Sequence, residues 1–219
     1  MHMTAQLVFN LINIKNFNSE DFYVNDNNLE ASELIKLWPN WFNGAAIIFG
    51  PEKSGKSHLA NVWKEKSNAN IYNLDIDFPL SEINTKENFV LDNFHNLSGA
   101  DEEIFFHIYN RTLFNKKNIL ITLDKNRFKN IKLKDLESRF NSFSSATIMP
   151  PDDNLVNALI VKFFQDQQIN IDPSVISFII KRIERDYGAI FNFLQKIDSL
   201  SLEKKTKISI SFLNKFIDF

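Results

Sequence analysis

Eight residues, Gly50-Pro51-Glu52-Lys53-Ser54-Gly55-Lys56-Ser57, follow the pattern G-x-x-x-x-G-K-S, a spacing suited to holding a chain of phosphates. Gly50 and Gly55 let the backbone curl until its amides converge on phosphate oxygens. Lys56 carries charge to the outer phosphates, and the Ser57 hydroxyl is a ligand for Mg²⁺. The apolar run Ala45-Ala46-Ile47-Ile48-Phe49 precedes the loop, and a segment of helical character, Ser57-His58-Leu59-Ala60-Asn61-Val62-Trp63, follows it. That is the strand, loop and helix such a motif requires, with the helix dipole adding positive potential at the phosphates. The spacing therefore predicts a site for ATP or ADP with Mg²⁺.

Three further places carry chemistry. Phe89-Val90-Leu91-Asp92 is an apolar strand ending in an acid, which makes Asp92 the second group for Mg²⁺. Asn93 follows where a hydrolysing enzyme of this class places a carboxylate to orient water. Ile119-Leu120-Ile121-Thr122-Leu123-Asp124 is another strand with polar residues at its end, so that Thr122 or Asp124 approaches the terminal phosphate or the water. Arg139, in Asp135-Leu136-Glu137-Ser138-Arg139-Phe140, has two readings: a surface ion pair with Asp135, or a guanidinium presented to a neighbour's nucleotide. The histidines at 2, 58, 95 and 107 show no metal-ligand spacing, and no serine has a nucleophile-elbow context.

These groups need elements to position them. The 219 residues are 44% hydrophobic with 22 Phe, enough for a packed core. Absence of Cys excludes disulfides and zinc-thiolate sites and fits a cytoplasmic protein. A net charge of -2 argues against strong DNA binding, and no apolar stretch is long enough to span a membrane. Strands are expected at 45–49, 69–74, 88–92, 118–123 and 145–149, with helices near 30–37, 56–66, 100–114 and 133–140. Alternation of this kind implies an α/β fold with a five-stranded parallel sheet covered by helices on both faces. Pro150-Pro151 marks a break. Beyond it only helices are expected, near 152–166, from Asp172-Pro173 onward and near 187–199, with a short extended piece and a final helix at 209–213. The organisation is then a tail at 1–15, a nucleotide-binding core at 16–150 and a helical lid at 151–219.

Taken together these segments resemble the AAA+ module of the bacterial initiator DnaA, and more closely the shorter Hda family that inactivates DnaA. Phe22-Tyr23-Val24-Asn25-Asp26-Asn27-Asn28-Leu29-Glu30-Ala31 resembles the family's pre-loop segment F-x-V-x-x-x-N-x-x-A. The resemblance thereby places Phe22, Val24 and Asn28 around the adenine, and it adds His58 to the loop residues. It sets Asp124 at sensor 1, and Ser138-Arg139-Phe140 matches the S-R-F/L that supplies an arginine finger, favouring the second reading of Arg139. Gln6-Leu7-Val8-Phe9-Asn10-Leu11 is similar to the clamp-binding Q-L-x-L/F-x-L, implying that Gln6, Leu7, Phe9 and Leu11 contact the polymerase sliding clamp. Two absences, of a long helicase-contacting N-terminal domain and of a helix-turn-helix after the lid, separate the chain from DnaA and imply no sequence-specific DNA contact. In one place the chain departs from the pattern. Gly188 stands where the family's sensor 2 arginine should be, with Arg185 nearby as a substitute.

The resemblance implies regulatory inactivation of DnaA: Arg139 is presented to ATP on DnaA and promotes its hydrolysis, while the chain is held on the clamp and pairs with DnaA or forms a homodimer. Two alternatives stand beside it, an adaptor that tethers without stimulating hydrolysis and a helicase-loader-like remodeller. Asn93 and Gly188 together predict slow intrinsic turnover. A steady-state phosphate-release assay on the isolated protein is expected to give a rate well below one per minute, and vigorous turnover contradicts it.

Overall fold

The computed structural model describes residues 23–73, 79–95, 97–124 and 131–216. Two strands without a polar side until their ends, β1 (Ala45–Phe49) and β4 (Ile119–Leu123), are buried almost throughout, as strands covered on both faces must be. They pair with each other and with β2 (Asn70–Asn73), β3 (Phe89–Phe94) and β5 (Ser144–Thr147) in one parallel sheet of order β2-β3-β4-β1-β5. The strands agree with the expected segments to within two residues. β3 runs two residues past its expected end because Asn93 enters a bulge between Leu91 and Phe94.

Each face of the sheet has its own core. Helices α1 (Leu29–Leu37) and α2 (Lys56–Ser67) cover one face, where all three tryptophans meet. Trp63 is fully buried, with the Trp41 ring centroid 4.9 Å away and Trp38 edge-on at 6.2 Å. Helices α3 (Gly99–Phe114) and α4 (Lys134–Ser142) cover the other face with a phenylalanine cluster of Phe94, Phe105, Phe140 and Phe143.

Beyond Pro150-Pro151 come α5 (Asp153–Asp166), α6 (Pro173–Ile180), α7 (Tyr187–Lys204) and α8 (Ile210–Phe216), packed around a third core. An aspartate caps three of these helices. Asp152, Asp172 and Asp186 accept from the amides of Leu155, Ser174 and Ala189 at 2.8, 2.8 and 2.7 Å. Each such cap contributes about 1 kcal/mol. Of the extended piece and final helix expected around 209–213, the helix is present: α8 starts at Ile210, where Ser209 accepts the Phe212 amide at 3.1 Å and the Phe212 and Leu213 side chains are buried.

Helix α4 starts differently. Its N-cap, Leu133, has no side-chain acceptor. The carboxylate of Glu102, on α3 and 4% exposed, takes the amides of Lys132 and Leu133 at 3.0 and 2.7 Å. The charge thus sits on the positive end of α4 while satisfying two donors. Glu102→Ala is expected to cost about 1–3 kcal/mol in urea unfolding, since those amides lose their acceptor, with Glu102→Gln intermediate. Equal midpoints for all three proteins contradict this.

Candidate nucleotide site

The loop at 50–57 lies where β1 ends and α2 begins, between β4 and β5, at the carboxyl ends of the strands. In open α/β sheets this is where ligands sit. Gly55 has φ 98, a left-handed value that L side chains rarely adopt. A Cβ on Gly50 would lie 2.7 Å from Ser54 Oγ and 3.1 Å from Ile148 Cβ, so only glycine allows this approach. Lys56 is 6% exposed, and its Nζ donates to the carbonyls of Gly50 at 3.0 Å and Pro51 at 2.6 Å. The ammonium is thereby curled over its own loop.

Three strand and helix ends converge on Asp92, which is buried. Ser57 Oγ donates to one carboxylate oxygen at 2.8 Å, and Thr122 Oγ1 donates to the other. Thr122 Oγ1 in turn accepts the Asn93 amide at 3.0 Å. Asn93 has φ 57, a left-handed conformation that Asn tolerates better than most residues. The bulge thus points one residue of β3 toward the loop. Of the two candidates at the end of β4, Thr122 is the one joined to Asp92. Asp124 is half-buried just after the strand.

A cavity of about 430 Å³ lies over the loop, lined on one side by residues 52–58 and Asn93. The other side comes from the C-terminal helices, with wall residues not assigned to the site from the sequence: Leu159, Phe163 and Lys162 on α5, and Tyr187, Ile190 and Phe191 on α7. Spacings of three and four residues put each set on one helix face. The same periodicity is visible in the sequence, but it does not say that these faces turn toward the loop.

The core and the C-terminal helices are tied at two points, and the end of the core beside them is pinned by Asn27. Lys53 Nζ donates to Asn192 Oδ1 at 2.7 Å and stands 5.0 Å over the Phe191 ring. The Tyr187 hydroxyl donates to the Met149 carbonyl at 2.9 Å. Burial, with Asp152 nearby, pushes the Tyr187 phenol up to about 12. The Met149 amide donates to Asn27 O at 2.8 Å, and Asn27 Nδ2 to Pro150 O at 2.6 Å.

The remaining sequence candidates fall as follows. Asn28 is buried and holds the turn before α1, accepting the Asn25 amide and donating to Tyr23 O at 2.9 Å each. Val24 is exposed beside it. Neither forms part of the cavity wall. Gly188 lies in the first turn of α7, also outside the wall. Arg185 faces away from the loop. It pairs with Asp153 at 2.6 Å and donates to the carbonyls of Ile183 and Ile180 at 2.7 and 2.8 Å, so it is no substitute at the phosphates. Arg139 is exposed on α4, and among the described residues it makes no ion pair with Asp135. Phe22 and the segment Gln6, Leu7, Phe9 and Leu11 lie outside the described residues.

The donor set fits a nucleotide phosphate. Ser54 Oγ is buried in the loop with no hydrogen-bond partner, an orphan that a phosphate oxygen satisfies. The first turn of α2 offers amides with no side-chain cap. Among the described residues there is no cluster of three or more His, Cys, Asp or Glu, so a Mg²⁺ here would need phosphate oxygens alongside Ser57 and Asp92. No helix among the described residues is long and apolar enough to cross a membrane.

Comparisons with known proteins give the same architecture. The family model described as the Hda lid domain matches residues 152–217. An uncharacterised Haemophilus influenzae protein is 26% identical over 99% of this chain and 100% of its own length. DnaA of Thermomicrobium roseum is 25% identical over 71% of the chain, which spans 38% of that initiator. Domain III of Thermotoga maritima DnaA superposes with a TM-score of 0.70 at 18% identity, covering 94% of this chain and 98% of that one. A DnaA bound to AMPPCP and single-stranded DNA superposes at 0.67 with 20% identity, covering 87% and 68%.

Tyr187 generates a prediction. Its folded value lies above the ordinary 10.0, so its contribution to stability is complete below pH 10 and is lost as pH rises toward 12. Tyr187→Phe is expected to remove the late-titrating phenol from an ultraviolet titration and to lower stability by about 1 kcal/mol through the lost bond to Met149. A variant whose alkaline titration matches wild type excludes this assignment.

Proposed function

We propose that this chain, which belongs to the Hda/DnaA-related AAA+ family, regulates replication initiation by presenting Arg139 to ATP held by DnaA. Its relation to that family makes it a DnaA-related replication regulator. The finer reading, stimulation of a partner's hydrolysis, is supported above all by the state of Arg139. The guanidinium is exposed on α4 and free of the Asp135 ion pair that a surface role would give it. Leu136 and Phe140, both buried on the same helix, and the Glu102 carboxylate at its start hold α4 against the sheet. On such a mount the backbone is already fixed, so only the side chain's own rotamers are ordered when the guanidinium meets a partner's γ-phosphate. There it offsets charge developing on the transferred phosphoryl group, an effect worth roughly 10³-fold or more in rate.

The chain's own nucleotide, ADP or ATP, has a structural part in this reading. Loop residues 50–57 would hold the phosphates, Ser57 and Asp92 would hold Mg²⁺, and Leu159, Phe163 and Ile190 would supply an apolar wall. Bound there, the nucleotide supplies a bridge between core and lid. Asn93 holds its amide on Thr122 and carries no carboxylate to activate water, which favours retention over turnover. Gln6, Leu7, Phe9 and Leu11 would dock on the sliding clamp and raise the effective concentration of Arg139 near DnaA.

In a reconstituted reaction with DnaA, clamp and DNA, Arg139→Ala is expected to lower stimulation of ATP hydrolysis at least 100-fold while still binding the clamp. Undiminished stimulation by the variant defeats the proposal. Binding of wild type to DnaA without any stimulation supports the adaptor instead.

A further inference from the structure

We propose that Lys162 is the lid's cation for the phosphate chain of a nucleoside di- or triphosphate bound at residues 50–57. The inference rests on the reading of that loop as a nucleotide site. Lys162 lines the same cavity as Lys56 and Ser57, from the lid. The cavity wall carries three ammonium groups, of Lys53, Lys56 and Lys162, against two carboxylates, of Glu52 and Asp166. That balance favours an anion, and Lys162 is the part of it contributed as positive charge by the lid.

The two arginines before α7 make their contacts away from the loop. Arg185 is held by Asp153 and by the Ile180 carbonyl at the end of α6. Arg182 stacks on Phe178, its guanidinium carbon 3.6 Å from the ring centroid, and donates to the Phe178 carbonyl. Gly188 has no side chain to offer. On α7 the face turned to the loop is apolar, with Tyr187, Ile190 and Phe191, so the charge has to come from α5.

Helix α5 is also well placed to carry it. Its first turn is seated in the core. Leu155 is buried in the same cluster as Ile48 of β1 and Ala60 of α2, and Leu159 packs against that cluster. Lys162 follows Leu159 by three residues, on the face that looks at the loop. A phosphate held by both Lys56 and Lys162 would join α5 to α2 through charge across the cavity. Lys162 thus couples nucleotide binding to the docking of the lid on the core. As a flexible point charge it does so without the fixed geometry of an arginine fork.

The test measures ATP and ADP affinity by titration with the unlabelled nucleotides, together with the melting temperature with and without them. Lys162→Met is expected to weaken both nucleotides about tenfold at low salt, about 1.4 kcal/mol, and to shrink the nucleotide-induced rise in melting temperature. Lys162→Arg, which keeps the charge, should restore most of the affinity. The difference between wild type and Lys162→Met should narrow as salt rises, because the group is only half-buried. Wild-type affinity in Lys162→Met, alongside loss of binding in Lys56→Ala, overturns the role of Lys162 and leaves the nucleotide site standing. No nucleotide binding by wild type removes both.

Discussion

The carboxylate of Asp92 is the constraint around which the site is built. It is a buried acid at the end of β3, and burial of such a group is costly unless its oxygens are occupied. Ser57 at the start of α2 occupies one and Thr122 at the end of β4 the other. Three separate stretches of chain are therefore drawn to one point. Thr122 closes the arrangement by accepting the amide of Asn93, which holds the β3 bulge in its left-handed turn. The curl of the phosphate loop, the start of α2 and the placement of Asn93 in the cavity wall all follow from satisfying this one group.

A second set of contacts decides how the lid sits. Tyr187 and Lys53 reach across the break at Pro150-Pro151, each with a hydrogen bond below 3 Å, and Asn27 holds the Pro150 carbonyl on the core side. They are few, Lys53 is exposed and Asn27 only half-buried, so each is worth on the order of 1 kcal/mol or less. The hydrophobic share is also modest, since most of the lid's apolar surface is spent in its own core. A ligand that touches both walls of the cavity can shift the balance between core and lid substantially. This gives resident nucleotide a use even where its hydrolysis is slow.

On the far face, α4 shows how a charged side chain is kept available. Its buried residues Leu136 and Phe140 lock one side of the helix against the sheet, and Glu102 stabilises its start from another helix. Arg139, three residues past Leu136, falls at the edge of that side and is exposed. The order of burial along four or five residues, rather than any contact of Arg139 itself, determines that the guanidinium faces outward.

The parts legible in the sequence are those written in local spacing. The phosphate loop, the apolar strands around it, the acids at their ends and the Asp-Pro start of α6 depend on neighbours within a few residues, through backbone geometry and helical or strand periodicity. Contacts between distant residues were not legible. Glu102 reads as a surface acid in the first turn of α3, yet it is buried on the amides of Lys132 and Leu133. The many asparagines look like a bias of composition, but Asn118 joins the Trp38 indole to the Gly44 carbonyl and Asn28 holds the turn before α1. Thr122 and Asp124 are two residues apart and share a strand parity, so which of them meets Asp92 depended on the register between β3 and β4. Arg185 stands beside the expected sensor position, but packing of α5 against α6 turned it to Asp153. The sequence by itself determined that a phosphate-binding loop would form. The tertiary structure alone decided which side chains face it, because that depends on how separate helices and strands pack, and no spacing along the chain encodes it.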